Sequence, residues 1–311
     1  MAVAASASGI IQVVIISTGR SQSRYHDGLD AIEERRRVPV VTRPVRVGGA
    51  VIGGDAFTVV AGPCAIESRG QFMTVGRHVR DEGAAVLRGG IFKMRTDPHS
   101  FQGLGPEALA YADEVRRATG LPFVVEVAAI EQVDVLAPHA DALQVGSRNM
   151  HNYYLLKELG RTRIPVLLKR GFAAELREWL LAAEYVAAGG NESIVLCERG
   201  IRTFEPEMRN TLDLAGAVWA RQHSPFPVLV DPSHATGRPE LVTPMCLAAA
   251  AAGLDGVMVE VHHDNAAALS DGFQALTLEG FSRLTRALRS ILGALGRPLS
   301  SPVEEGFSPA G

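Results

Sequence analysis

Cys64, His234, Glu260 and Asp271 are a thiol, an imidazole and two carboxylates, widely separated along a chain of 311 residues. Brought together, they would make a mixed S/N/O/O site. Such a site suits a divalent first-row metal (Mn, Fe, Co or Zn) rather than Ca or Mg alone. Each residue also has an ordinary reading. A cysteine at a strand end is commonly just buried structure. Asp271, in the run LSDG, could simply cap a turn or a helix. His262 and His263 stand beside Glu260 as rival ligands.

Arg88, Lys93, Arg95, Arg148, Lys169 and Arg199 form a second set. Six cations facing one place need counter-charge, which phosphates and carboxylates supply. Arginine grips such groups with a planar fork, and lysine acts as a point charge. For any single cation, pairing with Glu126, Glu198 or Asp231, or exposure to water, is the alternative. Together the two sets suggest chemistry on a phosphorylated acid, with a metal polarising an oxygen. They do not name the reaction.

The elements that must position these residues are eight short apolar runs: FTVVAGP (57–63), AAVLRGG (84–90), FVVEV (123–127), ALQVG (142–146), PVLLKR (165–170), SIVLCER (193–199), PVLVDP (227–232) and GVMVEV (256–261). At or just past their ends stand Cys64, Arg88, Glu126, Arg148, Lys169, Arg199, His234 and Glu260. Segments with helical patterning lie between the runs. One is GQFMTVGRHVRDEG (70–83), with Phe72, Val75 and Val79 on one face; another is PEALAYADEVRRATG (106–120), which ends at Gly120. Alternating strands and helices predict a parallel sheet. Eight units predict a (β/α)8 TIM barrel, in which all strand ends share the face that carries the active site. A doubly wound open sheet is the structural alternative, but no glycine-rich dinucleotide fingerprint follows the first strand.

Residues 1–47 read as a partly disordered N-terminal extension, with a stray strand in GIIQVVIIS (9–17) and a short helix around 27–36. Residues 48–296 read as the barrel domain. The hairpin-like RVGGAVIGG (46–54) is expected to cap its bottom. Residues 297–311, rich in Pro, Ser and Gly, read as a flexible tail. Hydrophobic residues make up 47% and charged residues 21% of the chain, as in a soluble globular protein. A net charge of −3 provides no basic field for nucleic acid. The 9–17 run is too short to span a membrane and lacks the marks of a signal peptide. Three cysteines are no disulfide framework and suit a reducing, cytoplasmic setting.

At AGPCAIES, LRGGIFKMRTDPHSFQGLG, LQVGSRNMHN, PVLLKRGF, IVLCERGIRTFE, LVDPSHATGR and VEVHHDNAAALSDGFQAL, the chain resembles the type I 3-deoxy-D-arabino-heptulosonate 7-phosphate (DAHP) synthases of the short β subgroup. The resemblance runs from residue 57 to about 290. It implies a transferase that condenses phosphoenolpyruvate (PEP) with erythrose 4-phosphate and releases phosphate, opening the shikimate pathway. It also implies that Cys64, His234, Glu260 and Asp271 hold the divalent metal, which polarises the aldehyde oxygen while C3 of PEP attacks. Arg88, Lys93, Arg148, Lys169 and Arg199 would hold PEP. Arg95 and Thr96 would meet the aldose phosphate. Lys93, Glu126 and His234 are the catalytic candidates, the first two for proton transfer. A homo-oligomer, dimer or tetramer, is implied as well.

The aldose loop departs from the family's usual Lys-Pro-Arg-Thr-Ser: it reads Lys93-Met94-Arg95-Thr96-Asp97. Met94 is larger and more flexible than proline, and Asp97 brings a negative charge near a sugar-phosphate site. His99 stands where Tyr is common. Two readings follow: drift in a loop that still takes erythrose 4-phosphate, or a different aldose, phosphorylated or not. A non-catalytic barrel that binds a phosphorylated acid is the reading from another class. Residues 1–47 look too short for the regulatory domains of some relatives, so no intrinsic inhibition by Phe or Tyr is expected.

Overall fold

Along the strands, side chains alternate between two environments, and that alternation builds the fold. The structure, a computed structural model, describes residues 40–300. The strand expected at 9–17 and the helix around 27–36 lie outside the described residues, as do residues 301–311.

Ten strands are described: β1 (Val45–Val47), β2 (Ala50–Ile52), β3 (Thr58–Gly62), β4 (Val86–Arg88), β5 (Phe123–Val127), β6 (Ala142–Val145), β7 (Val166–Lys169), β8 (Ile194–Glu198), β9 (Val228–Val230) and β10 (Gly256–Glu260). Strands β3 to β10 close into a barrel, each parallel to its neighbours, with β10 paired to β3. Helices fill the connections, so the chain forms a (β/α)8 barrel and not an open sheet.

One set of strand side chains points outward at the helices. It includes Val59, Leu87, Val125, Leu143, Leu168, Leu196, Val230 and Val259. The helix Arg69–Glu82 meets that layer with Phe72, Val75 and Val79, all buried. Its start is fixed by Ser68, whose side chain accepts from the Gln71 N–H at 3.1 Å, and its end by left-handed Gly83. Full burial of a side chain such as Phe72 stabilises the fold by roughly 1.5–3 kcal/mol.

The other set points inward and packs on the hairpin. Val60, Val86, Val124, Ala142, Leu167, Val195, Cys197, Leu229 and Met258 form one cluster with Val45, Val47, Ala50 and Ile52. The antiparallel β1–β2 pair therefore plugs the end of the barrel at which the strands begin. The segment expected to fray holds to the same end as far as it is described. Phe57 N–H donates to Pro298 O and Ser300 N–H to Phe57 O, both at 2.8 Å. Among the described residues no helix is long and apolar enough to cross a membrane.

Candidate active site

Successive inward positions on a strand are two residues apart. Two residues beyond the apolar plug, the inward layer turns polar. Val86 leads to Arg88, Val124 to Glu126, Ala142 to Gln144, Leu167 to Lys169, Cys197 to Arg199, Leu229 to Asp231 and Met258 to Glu260. The barrel thus raises a polar, mostly charged layer on an apolar floor.

Cys64, His234, Glu260 and Asp271 meet at one side of this layer, with ligand atoms all within 4.8 Å of one another. Cys64 Sγ lies 3.7 Å from His234 Nε2 and 3.1 Å from Asp271 Oδ2. His234 Nε2 lies 3.1 Å from Glu260 Oε1. The rival ligands are placed elsewhere. His262 Nδ1 accepts from the Asp264 N–H, its Nε2 faces Glu67 at 3.4 Å, and His263 is exposed.

Local structure explains how each group arrives. Asp231 caps the short helix Pro232–Thr236, accepting from the His234 N–H at 3.0 Å. Its other oxygen takes His234 Nδ1 at 2.7 Å. With Nδ1 held there, Nε2 is the ring nitrogen turned toward Cys64 and Glu260, the one a metal would take. Asp271 adopts φ 50°, and among the described residues it is the one non-glycine with positive φ. Asp tolerates that region better than most residues, at a modest cost. The loop that carries it is tied down by Glu67, which accepts from the N–H groups of Leu269 and Ser270 at 3.0 and 3.2 Å.

The electrostatics suit a cation. Burial would raise the carboxyls of Glu260 and Asp271. Instead, His234, Arg88 and Lys93 hold Glu260 well below the usual range, and Lys93 above all brings Asp271 down to about 2. The Lys93 ammonium lies on Cys64 Sγ and 2.9 Å from Asp271 Oδ2. Burial, helped by Glu260, pushes the Cys64 thiol up. A thiolate and two carboxylates around one imidazole would offer a divalent metal three negative charges, so the donor set fits such an ion.

Beside the cluster opens a cavity of about 260 Å³, lined on its cationic side by Lys93, Arg95, Arg148, Lys169, Arg199 and Arg209. Arg199 Nη2 donates to His234 O at 3.0 Å, while its buried Nη1 has no hydrogen-bond partner among the described residues. Burial brings the Arg199 pKa down to about 10. Arg95 Nη1 is likewise buried without a partner. Lys169 is paired, its ammonium 2.5 Å from Asp231 Oδ2. Arg88 is not among the residues lining the cavity; its buried guanidinium lies 3.2 Å from Glu260 Oε1, which is buried too.

Glu126 lines the cavity and accepts from Gln144 Nε2 at 3.1 Å. Gly146 makes room for it, since a Cβ there would stand 2.2 Å from Glu126 Oε1. In the loop after β4, Met94, Arg95, Thr96 and Asp97 all line the cavity. Thr96 Oγ1 accepts from Arg148 Nη2 at 3.3 Å. Met94 Sδ accepts from Asn149 Nδ2 at 3.5 Å. Asp97 spends its carboxylate on its own loop, accepting from the His99 N–H and the Ser100 hydroxyl at 3.0 and 3.2 Å.

The model of the "DAHP synthetase I family" matches residues 14–293. The chain belongs to the DAHP synthetase I family. Within this family, it is 45% identical over 252 residues to the phospho-2-dehydro-3-deoxyheptonate aldolase of Thermotoga maritima, covering 81% of this chain and 75% of that protein. It is 31% identical over 265 residues to the 2-dehydro-3-deoxyphosphooctonate aldolase of Syntrophobacter fumaroxidans, covering 78% of this chain and 90% of that protein. A crystal structure of the Thermotoga maritima DAHP synthase superposes with a TM-score of 0.81 at 44% identity, covering 83% of this chain and 76% of that one. The truncated form of 3-deoxy-D-arabino-heptulosonate 7-phosphate synthase from the same organism gives 0.78 at 41%, covering 83% and 95%.

Four residues of this DAHP synthetase I family site escaped the sequence reading of its chemistry: Gln144, Phe172, Arg209 and Asp231 in its role toward His234. The run Asp231-Pro-Ser-His234 carried a usable signal, because an Asp three residues before a His at a helix start is a cap that reaches back to it. Arg209 carried none. It comes from an irregular loop and reaches the site through Gln274 Oε1 at 2.7 Å and Asp271 Oδ1 at 3.5 Å.

Proposed function

We propose that this chain condenses PEP with erythrose 4-phosphate to give DAHP and phosphate, the first step of the shikimate pathway, with a divalent metal held by Cys64, His234, Glu260 and Asp271. The observation that carries this reading is the pair of partnerless guanidinium nitrogens, Arg95 Nη1 and Arg199 Nη1, on residues that line one cavity with two of the clustered ligands, His234 and Asp271. A buried guanidinium nitrogen without a hydrogen-bond partner is costly, and an anionic substrate removes that cost.

The bond changes balance. The C2=C3 π pair of PEP forms the bond from C3 to the aldehyde carbon, whose C=O π pair passes to oxygen and takes up a proton. Water adds its oxygen at C2 and gives up a proton. The C2–O bond to phosphate then breaks, phosphate leaves with the bonding pair, and the C2 hydroxyl loses its proton to leave the ketone. When bound, the metal would polarise the aldehyde oxygen. Lys169, Arg199 and Arg148 orient PEP, with Arg95 and Thr96 at the aldose phosphate. Glu126 and Lys93 are placed to move protons, since both line the cavity. Asp231 holds the His234 ring in its ligating tautomer. Arg88 acts through Glu260 and orients a ligand. Orientation and preorganised charge supply the rate. We place the enzyme in the cytoplasm as a homo-oligomer.

A second reading has a specific observation behind it: Met94 lines the cavity where the family carries proline. A seven-carbon product needs a four-carbon aldose, and an eight-carbon product a five-carbon one. Asp97 favours the first reading only in that its charge is already used within its loop. The test is phosphate release from PEP, with metal, across a panel of aldoses both phosphorylated and not. Release with erythrose 4-phosphate supports the first reading. Release only with a longer or unphosphorylated aldose supports the second. No release with any aldose, despite bound metal and bound PEP, leaves a non-catalytic binder.

A further inference from the structure

Phe172 follows β7 and lines the cavity, and three guanidiniums surround its ring. The guanidinium carbon of Arg199 lies 4.6 Å from the ring centroid, that of Arg202 5.2 Å and that of Arg148 5.6 Å. The three arginines come from the loops after β6 and β8, so the ring ties together loops that the barrel leaves independent. A backbone bond reinforces the tie: the Arg202 N–H donates to Phe172 O at 2.8 Å.

Three like charges in one corner repel. A carboxylate there would relieve the repulsion, but it would also consume the N–H edges that an anion needs. An aromatic ring relieves it differently. Its negative face attracts a cation and takes no hydrogen bond from the guanidinium edge. The state of Arg199 fits this division: one nitrogen is anchored on His234 O and the other is buried and open.

We propose that Phe172 is a positioning residue, a cation–π platform that holds Arg148 and Arg199 without drawing on their N–H groups, so that those not already bonded serve the anionic substrate. This rests on the reading of the site as one for PEP, and it predicts more than that reading does. The residue acts on binding and not on the chemical step, and any aromatic ring that fits should serve.

The experiment compares wild type with Phe172→Leu, Phe172→Tyr and Phe172→Trp, each with circular dichroism to confirm folding. Binding of PEP and, separately, of inorganic phosphate is measured by calorimetry, together with KM for PEP and kcat. Phe172→Leu should weaken both anions roughly 3- to 30-fold and raise KM for PEP in step, with kcat within about twofold. Tyr or Trp should restore binding. The proposal is overturned if the Leu variant binds both anions like wild type, or if Tyr and Trp lose as much as Leu. If wild type binds phosphate in a Phe172-dependent way but does not bind PEP, the platform stands and the assigned substrate falls. If PEP binds and turns over unchanged in the Leu variant, the platform falls and the assigned substrate stands.

Discussion

Asp231 Oδ2 lies 2.7 Å from His234 Nδ1. The same oxygen takes the Lys169 ammonium at 2.5 Å. One buried carboxylate thus links the cluster of candidate ligands to the cation-lined cavity. Burial would raise its pKa, but His234 and Lys169 outweigh burial and hold it well below the usual range. Asp231→Asn keeps the shape and removes the charge that fixes the ring. Metal affinity should fall about 10- to 100-fold, read by competition with a chelator. Unchanged affinity would show that the ring needs no such anchor.

Metal removal and ligand removal should coincide. Cys64→Ala takes away the sulfur that lies within reach of His234, Asp271 and Lys93. Bound metal, measured by elemental analysis, and phosphate release should be lost together, the latter by at least ~100-fold, if the metal supplies several kcal/mol of the barrier reduction. Chelated wild type should match the variant, and only wild type should recover when Mn, Fe, Co or Zn is returned. Turnover that survives the substitution would refute the ligand assignment.

The hairpin plug should matter for stability and not for rate. Ile52 is 1% exposed within the lower barrel cluster. Ile52→Ala should cost about 2–5 kcal/mol, read as a lower urea midpoint at an unchanged slope. Its kcat should stay within about twofold of wild type. A large fall in kcat without loss of stability would mean that the plug shapes the site.

Much of this was legible because the polar residues end the strands. Arg88, Glu126, Lys169 and Glu260 are one inward step above apolar residues, so the period of two placed them. The closed barrel followed from eight repeats of strand and helix. Arg88 shows where legibility stops. Its spacing put it at a strand end, but nothing in the sequence said that Glu260, two strands away around the barrel, would reach it first. Gln144 is a neutral residue inside an apolar run, between Leu143 and Val145, and carries no charge that would mark it as part of a site. Phe172 and Arg209 sit on irregular loops, where no period relates position to direction.

Asp255 gives a pH test far from the chemistry. It is fully buried, accepts from the Val228 N–H at 2.8 Å and pairs with Arg221 Nε at 2.8 Å. Burial nevertheless raises its pKa above the ordinary 3.8. A raised folded-state pKa means that the folded chain binds this proton more tightly than the unfolded chain. The resulting stability is fully present below the unfolded value and is lost as pH rises through the folded one. Asp255→Asn lacks this dependence. Urea midpoints from pH 7 down to about 3.5 should therefore show wild type gaining on the variant as pH falls. A constant difference would contradict the raised pKa.

The hairpin at the bottom has a further consequence. With β1 and β2 stopping one end, the barrel is a cup with a single mouth. Whatever reacts inside must enter and leave by the same doorway. The side on which that doorway lies was settled by a few apolar residues at the far end.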